Sequence, residues 1–258
     1  MVFSDFHFYS EVLGIQTAAY VLMPDEKVLK QSKDPVPVLY LLHGLSDDHT
    51  MWQRQTMIEQ FALKYRLCIV MPAVNRSFYM DMAWGAKYDT FIAEELPRVI
   101  ETYFPVGKKR EHRFAAGLSM GGYGAMKLGL TRPNRYAAVA SLSGALAIDK
   151  VYERNVSASY LHEMDAIYGG RDALVKGKGN LNNLADKLAK NPAKAPRMYV
   201  ACGTEDFLIK ANNDFVEKYG KVFDMEYHTE PGVHNWHFWN KYIEKVLAWL
   251  PVEKAVQG

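Results

Sequence analysis

Five short apolar runs separated by helix-length amphipathic segments predict an α/β fold with a mostly parallel sheet flanked by helices. A loosely alternating N-terminal stretch adds an antiparallel hairpin. A glycine-flanked serine at one strand-to-helix junction marks where chemistry would sit. Of the 258 residues, 49% are apolar and 23% charged, which is enough to build one large core. No repeat, low-complexity tract or charged linker divides the chain, so one domain spanning 1–258 is expected.

Residues 5–23 place Phe6, Phe8, Ala19 and Val21 in a loose alternation suited to a half-buried hairpin. Val36–Leu42, Leu67–Met71, Phe114–Leu118, Ala137–Leu142 and Met198–Cys202 are apolar without alternation. Strands covered on both faces read this way. Met225–His228 is strand-like as well, and amphipathic segments near 87–103, 120–131, 208–219 and 236–249 read as helices. Pro97 falls inside the first of these and should kink or divide it, because its ring removes a hydrogen bond. Residues 145–195, rich in Tyr and Gly with one helical piece near 181–190, are long for a crossover. They read as a small insertion over the sheet's C-terminal edge, where open α/β sheets bind ligands. The insertion is therefore expected to shape a pocket.

The 31 basic and 29 acidic residues give a net charge of +2 with neutral histidines. The densest basic run, Lys108-Lys109-Arg110 with Arg113, suits a solvated turn and not a polyanion site. Nucleic acid and anionic membrane are excluded as partners on that ground. No run approaches the roughly 18 apolar residues of a membrane span. The start lacks the basic and apolar regions of a signal peptide, so a cytoplasmic setting is expected. Cys68 and Cys202 each lie in a strand-like run; buried thiols are expected, with a single disulfide between them as the alternative.

Gly117-Leu118-Ser119-Met120-Gly121 matches G-x-S-x-G, with a strand before it and a helix after it. A serine on such a sharp turn is lifted clear of the sheet, and side chains at 117 and 121 would collide. The hydroxyl is a weak nucleophile and needs a base held by a carboxylate. In this architecture the order is serine, acid, histidine, each just past a strand. Asp206, in Gly-Thr-Glu-Asp-Phe, and His234, in Pro-Gly-Val-His-Asn-Trp, supply it. Glu205 is the competing acid, but the tight turn places Asp206 at its tip. His237 is the competing base, but it lies one turn into the last helix and is expected to pack there. An oxyanion hole would use the N–H of Met120 and a second donor after an early strand. Leu45 is the first choice and Gly44 the second, with His43 bracing the loop through hydrogen bonds. Trp52, Phe78, Tyr79 and Trp236 are expected to wall the acyl and alcohol sites.

These segments together, LYLLHGLSDDHTMW (39–52), FAAGLSMGGYGAMKL (114–128), SLSGAL (141–146), CGTEDFL (202–208) and PGVHNWHFW (231–239), resemble bacterial tributyrin esterases. These belong to the esterase D and S-formylglutathione hydrolase group of the α/β-hydrolase superfamily. The resemblance covers roughly residues 3–250 and is weakest over 145–195. It extends to AEELPRVI (93–100), which makes Pro97 a family feature. It implies an α/β-hydrolase fold, a Ser119–Asp206–His234 triad, Leu45 and Met120 lining the oxyanion hole, and no cofactor or metal. The implied activity is hydrolysis of short-chain acyl esters through an acyl-enzyme, with a small-molecule ester as partner. Residues 73–79 look more like the simple-ester branch than the glutathione-thioester one. Alternative activities are S-formylglutathione, feruloyl-ester or acetyl-sugar hydrolysis, and acyl transfer. From a different class, a catalytically silent binding module would lack a triad member, and none is missing. Self-association into a homo-oligomer is left open.

Overall fold

The computed structural model describes residues 1–256. Strand β1 (Val2–Ser10) pairs antiparallel with β2 (Ile15–Met23), in register from Val2 opposite Met23 to Ser10 opposite Ile15. The hairpin turn is held from outside. Buried Glu95 accepts from the Ser10 hydroxyl and from the N–H groups of Glu11 and Val12, at 2.9 and 3.3 Å for the latter two. A carboxylate taken out of water needs such donors. Three turn groups thereby anchor it.

The apolar runs become β3 (Val38–Leu42), β4 (Cys68–Pro72), β5 (Arg113–Leu118), β6 (Ala138–Leu142) and β7 (Arg197–Gly203). With β8 (Met225–Glu230) they form one eight-stranded sheet in the order β1-β2-β4-β3-β5-β6-β7-β8. Strand β2 meets β4 antiparallel, and β3 to β8 run parallel. The missing alternation has a direct cause. Val38, Tyr40 and Leu42 enter the core on one face, and Leu39 and Leu41 enter the core on the other. Parallel register brings the C-terminal ends of β3, β5, β6, β7 and β8 to one edge.

The principal helices are α1 (Leu96–Tyr103), α2 (Met120–Thr131), α3 (Ala158–Tyr168), α4 (Arg171–Lys176), α5 (Leu181–Leu188), α6 (Ile209–Tyr219) and α7 (Trp236–Trp249). The expected division at Pro97 is present: a π-helical turn, Phe91–Glu95, precedes α1, and Pro97 lies in the first turn of α1. The missing N–H of Pro97 falls where the bonding pattern has shifted: Leu96 N–H, just before it, reaches back five residues to Phe91 O in the π-helical turn.

The insertion is more helical than the sequence suggested. Helices α3 and α4 were not anticipated, because few of their residues are buried: Met164, Ile167 and Tyr168 in α3 and Leu174 in α4. Their end signals are nonetheless present: Ser157 accepts from Tyr160 N–H as an N-cap, and Gly169 closes α3 at φ +84°. The insertion packs on α2 and on the segment 73–87. The Tyr123 hydroxyl donates to Gly179 O at 2.9 Å, and Arg76 grips Glu163 through two bonds of 2.5 and 2.7 Å. Cys68 and Cys202 are buried free thiols on β4 and β7. Among the described residues, no helix is long and apolar enough to cross a membrane.

Candidate active site

Strand β5 ends at Leu118 and α2 begins at Met120, which leaves Ser119 alone to reverse the chain. It does so at φ +52°, a left-handed conformation that costs a non-glycine residue about 1–3 kcal/mol. Ser119 N–H donates to Leu142 O at 2.9 Å, and its carbonyl accepts from Ala145 N–H at 3.1 Å. The turn is thus tied to β6 on both sides of the hydroxyl. Gly117 and Gly121 flank it for want of space. A Cβ on Gly121 would stand 2.2 Å from Leu42 O, and one on Gly117 would stand 2.5 Å from the Gly121 carbonyl carbon.

The three residues expected as a triad are brought into one hydrogen-bonded line. His234 Nε2 lies 3.0 Å from Ser119 Oγ, and Nδ1 lies 2.8 Å from Asp206 Oδ2. Asp206 sits after β7 with its side chain fully buried, and its Oδ1 accepts from Leu208 N–H at 2.8 Å. Burial pushes this carboxyl up, but the bonds from His234 and Leu208 outweigh it and hold the group below the ordinary carboxylate value. His234 precedes α7, whose N-cap Asn235 accepts from Phe238 N–H. That cap fixes where the helix starts and hence where the imidazole points.

The competing residues lie elsewhere. Glu205 is exposed and binds the neighbouring loop: Gly232 N–H donates to its Oε2 at 2.5 Å, and its own N–H donates to Gly232 O at 3.0 Å. It braces the loop that carries His234. His237 does not pack as expected but is exposed in the first turn of α7.

Asp47 separates the two oxyanion candidates after β3. Its Oδ2 accepts from Gly44 N–H at 3.0 Å, so that donor is engaged. Leu45 is the next residue and lines the cleft, and Met120 N–H, at the start of α2, has no intrahelical acceptor. His43 braces this loop with both ring nitrogens. Nδ1–H donates to Gly44 O at 2.7 Å, and Nε2 accepts from Val74 N–H at 3.2 Å. Burial drives its pKa down to about 4, so the imidazole is neutral.

A cleft of about 420 Å³ opens at Ser119 between Gly44–Asp47, Phe207 and the segment from His234 to Trp239. Of the four aromatic residues expected at its walls, only Trp236 is there. Trp52 is fully buried, donating to Leu42 O at 3.0 Å and standing edge-on to Trp236 at 5.3 Å. Tyr79 is buried with its hydroxyl on His43 O at 2.9 Å, and Phe78 is buried against Tyr123 and Tyr168. Large flat side chains near a polar site were drawn into the core, where they buttress the loops.

The insertion also stands off. It contributes Lys150, Glu153 and Arg154 to a neighbouring cleft on the other side of Phe207, and none of its residues lines the cleft at Ser119. Phe207, Trp239 and Asp47 line the Ser119 cleft without having been singled out from the sequence. Their positions beside the triad motifs were the available signal.

A parallel sheet of this order with a serine, a histidine and a buried carboxylate in line at its C-terminal edge defines a serine hydrolase of the α/β-hydrolase fold. A family model described as "Putative esterase" matches residues 10–250. The chain belongs to that family, in the esterase D-like group of the α/β-hydrolase superfamily, and is a carboxylic ester hydrolase. It is 32% identical to an acetyl esterase of Caldicellulosiruptor saccharolyticus over 97% of this chain and 98% of that one. Among solved structures it resembles FphF, a fluorophosphonate-binding serine hydrolase of Staphylococcus aureus, with TM-score 0.87, 29% identity and 96% and 98% of the two chains covered. It also resembles the S-formylglutathione hydrolase FrmB of that organism, with TM-score 0.85, 28% identity and the same coverage.

Proposed function

We propose that the chain hydrolyses short-chain carboxylic esters through an acyl-enzyme on Ser119. The observation that carries this reading is the unbroken line from Ser119 Oγ through His234 to Asp206, at 3.0 and 2.8 Å. His234 Nε2 takes the hydroxyl proton as Oγ attacks the ester carbonyl, while Asp206 holds Nδ1–H and stabilises the imidazolium. The N–H groups of Met120 and Leu45 stabilise the oxyanion, each donor worth about 3 kcal/mol in the transition state. His234 then protonates the leaving alcohol. Water repeats the cycle on the acyl-enzyme and regenerates the serine.

The small acyl group is supported by the cleft, whose apolar walls Leu45, Trp236 and Trp239 belong to the β3 loop and the start of α7. The likeness to an acetyl esterase supports the same reading. Ser119→Ala tests the assignment of the nucleophile. Hydrolysis of p-nitrophenyl acetate should fall by about 10⁴-fold or more, and covalent labelling by a fluorophosphonate should vanish while the fold is kept. An S119A protein that turned over near the parent rate would overturn it.

A further inference from the structure

We propose that Asp47 and Tyr79 are positioning residues that aim the Leu45 N–H at the reacting carbonyl oxygen; this rests on the acyl-enzyme reading above. The loop after β3 passes the cleft through two consecutive peptide units, His43–Gly44 and Gly44–Leu45. The first is held at both ends. His43 O accepts from the Tyr79 hydroxyl at 2.9 Å, and Gly44 N–H donates to Asp47 Oδ2 at 3.0 Å. The second is held at its carbonyl: Gly44 O accepts from His43 Nδ1–H at 2.7 Å and from Asp47 N–H at 3.3 Å. Nδ1 carries the ring proton because Nε2 accepts from Val74 N–H, a group that can only donate. Three of the four polar groups are thus engaged, and Leu45 N–H has no acceptor among the described residues. A trans peptide unit is planar, so its N–H and C=O point in opposite directions. The Gly44 carbonyl is turned to the imidazole of His43, which is buried in the core. Leu45 N–H is therefore turned away from the core, on a loop that lines the cleft at Ser119.

The segment that carries Tyr79 is itself constrained. Asn75, Phe78 and Tyr79 hold φ of +49°, +47° and +53°, and such backbone persists only where its surroundings over-determine it. Helix α2 supplies that constraint. Buried Lys127 donates through Nζ to Tyr79 O at 2.9 Å. The Tyr79 ring lies against Gly124, where a Cβ would stand 2.5 Å from Tyr79 Cδ2. The same helix begins at Met120, the other oxyanion donor of that reading. One helix thus sets both donors, Met120 directly and Leu45 through Tyr79 and His43. Asp47 closes the frame from the cleft side. A donor fixed before the substrate arrives needs no reorganisation as charge develops on the carbonyl oxygen. Loosening the frame weakens the transition state and leaves ground-state binding as it was.

Asp47→Ala removes the acceptor of Gly44 N–H and leaves the triad intact. With p-nitrophenyl acetate, kcat should fall about tenfold and KM stay within about twofold, the size expected for one hydrogen bond. Inhibition by trifluoroacetone should weaken by the same factor. Ser119 Oγ adds to the carbonyl carbon of that ketone, its proton passes to His234, and the hemiketal oxyanion fills the hole. Asp47→Asn keeps an oxygen that accepts from Gly44 N–H and should restore kcat to within about threefold of the parent. Tyr79→Phe keeps the buried ring, loses the bond to His43 O and should lower kcat by about three- to tenfold. The two losses should combine to less than their product, because both variants free the same peptide unit. Should D47A fail to fold, Y79F and its trifluoroacetone affinity decide alone. Parental kcat in D47A and Y79F would overturn the proposal. A D47N protein as slow as D47A would overturn it by making the charge the working feature. A raised KM at parental kcat in D47A would do so by placing Asp47 on the substrate, and a D47A protein faster than the parent by showing that the carboxylate withholds Gly44 N–H from catalysis. S119A measured in parallel separates the two readings. An active S119A protein overturns both, whereas an inactive S119A beside fully active D47A and Y79F overturns the frame alone.

Discussion

Two titratable side chains sit in this site with their charge states set by opposite means. Asp206 is kept ionised by donors, and His43 is kept neutral by burial and by a single satisfied tautomer. His43 has a folded pKa of about 4 against 6.5 when exposed. The unfolded chain therefore binds the proton first as pH falls. His43 contributes its full stabilisation above pH 6.5 and loses it as pH drops toward 4, by about 3 kcal/mol in all. Urea unfolding at pH 7 and pH 4.5 should show a drop about 2 kcal/mol larger in the parent than in His43→Gln. Equal drops would mean that the imidazole is not buried neutral. For the acid, Asp206→Asn should lower kcat by about 10⁴-fold, as an amide favours the wrong imidazole tautomer. Glu205→Gln should stay within about tenfold of the parent, because Glu205 bonds only the adjoining loop. The reverse ranking of the two kcat values would reassign the acid.

The strand–turn–helix unit β5–Ser119–α2 is the element on which the site depends. Its motif was legible because steric exclusion leaves glycine as the only fit at 117 and 121. Gly121→Ala must push α2 away from Leu42 O, the carbonyl that also accepts Trp52 Nε1–H. A loss of about 3 kcal/mol follows, which for a chain of this size lowers Tm by roughly 6–12 °C. Calorimetry would detect it, and an unchanged Tm would show that the helix has slack the packing does not suggest. The strands were equally legible: both their faces are buried, so each run is apolar throughout and its ends fall within two residues of the observed strand. Helices α3 and α4 were not, because a helix resting on a neighbour through three or fewer side chains leaves little periodicity to read.

At the scale of the whole molecule, the sheet order decides the cleft at Ser119. Residues from β3, β5, β7 and β8 meet at one edge, and the cleft there is walled by Leu45, Leu118, Phe207, Trp236 and Trp239. Four of these walls are at most half-exposed, but Phe207 is 71% exposed and lies tilted against His234, with ring centres 4.5 Å apart. A short acyl chain gains about 0.8 kcal/mol per methylene until the cleft is full. Overfilling then costs roughly 1–3 kcal/mol. Across acetyl, butyryl, octanoyl and palmitoyl p-nitrophenyl esters, kcat/KM should peak at about two to four carbons and fall steeply by about eight. A maximum at octanoyl or beyond would mean that the acyl chain crosses Phe207 into the neighbouring cleft lined by Lys150 and Arg154.

The sequence by itself determined the α/β layering, the hairpin, the break at Pro97 and the positions of Ser119, Asp206 and His234 in their loops. Each follows from a local constraint: two-sided burial, a missing N–H, or a turn that admits only glycine beside the serine. Only the tertiary structure decided which aromatic residues reach the cleft, that Asp47 engages the Gly44 N–H, and that the insertion stands beside the site and not over it. Those outcomes depend on contacts between residues far apart in the chain. Trp52 and Trp236 look alike as sequence, yet one donates to Leu42 O in the core and the other faces solvent in the cleft, because sheet order sets which neighbours each one meets.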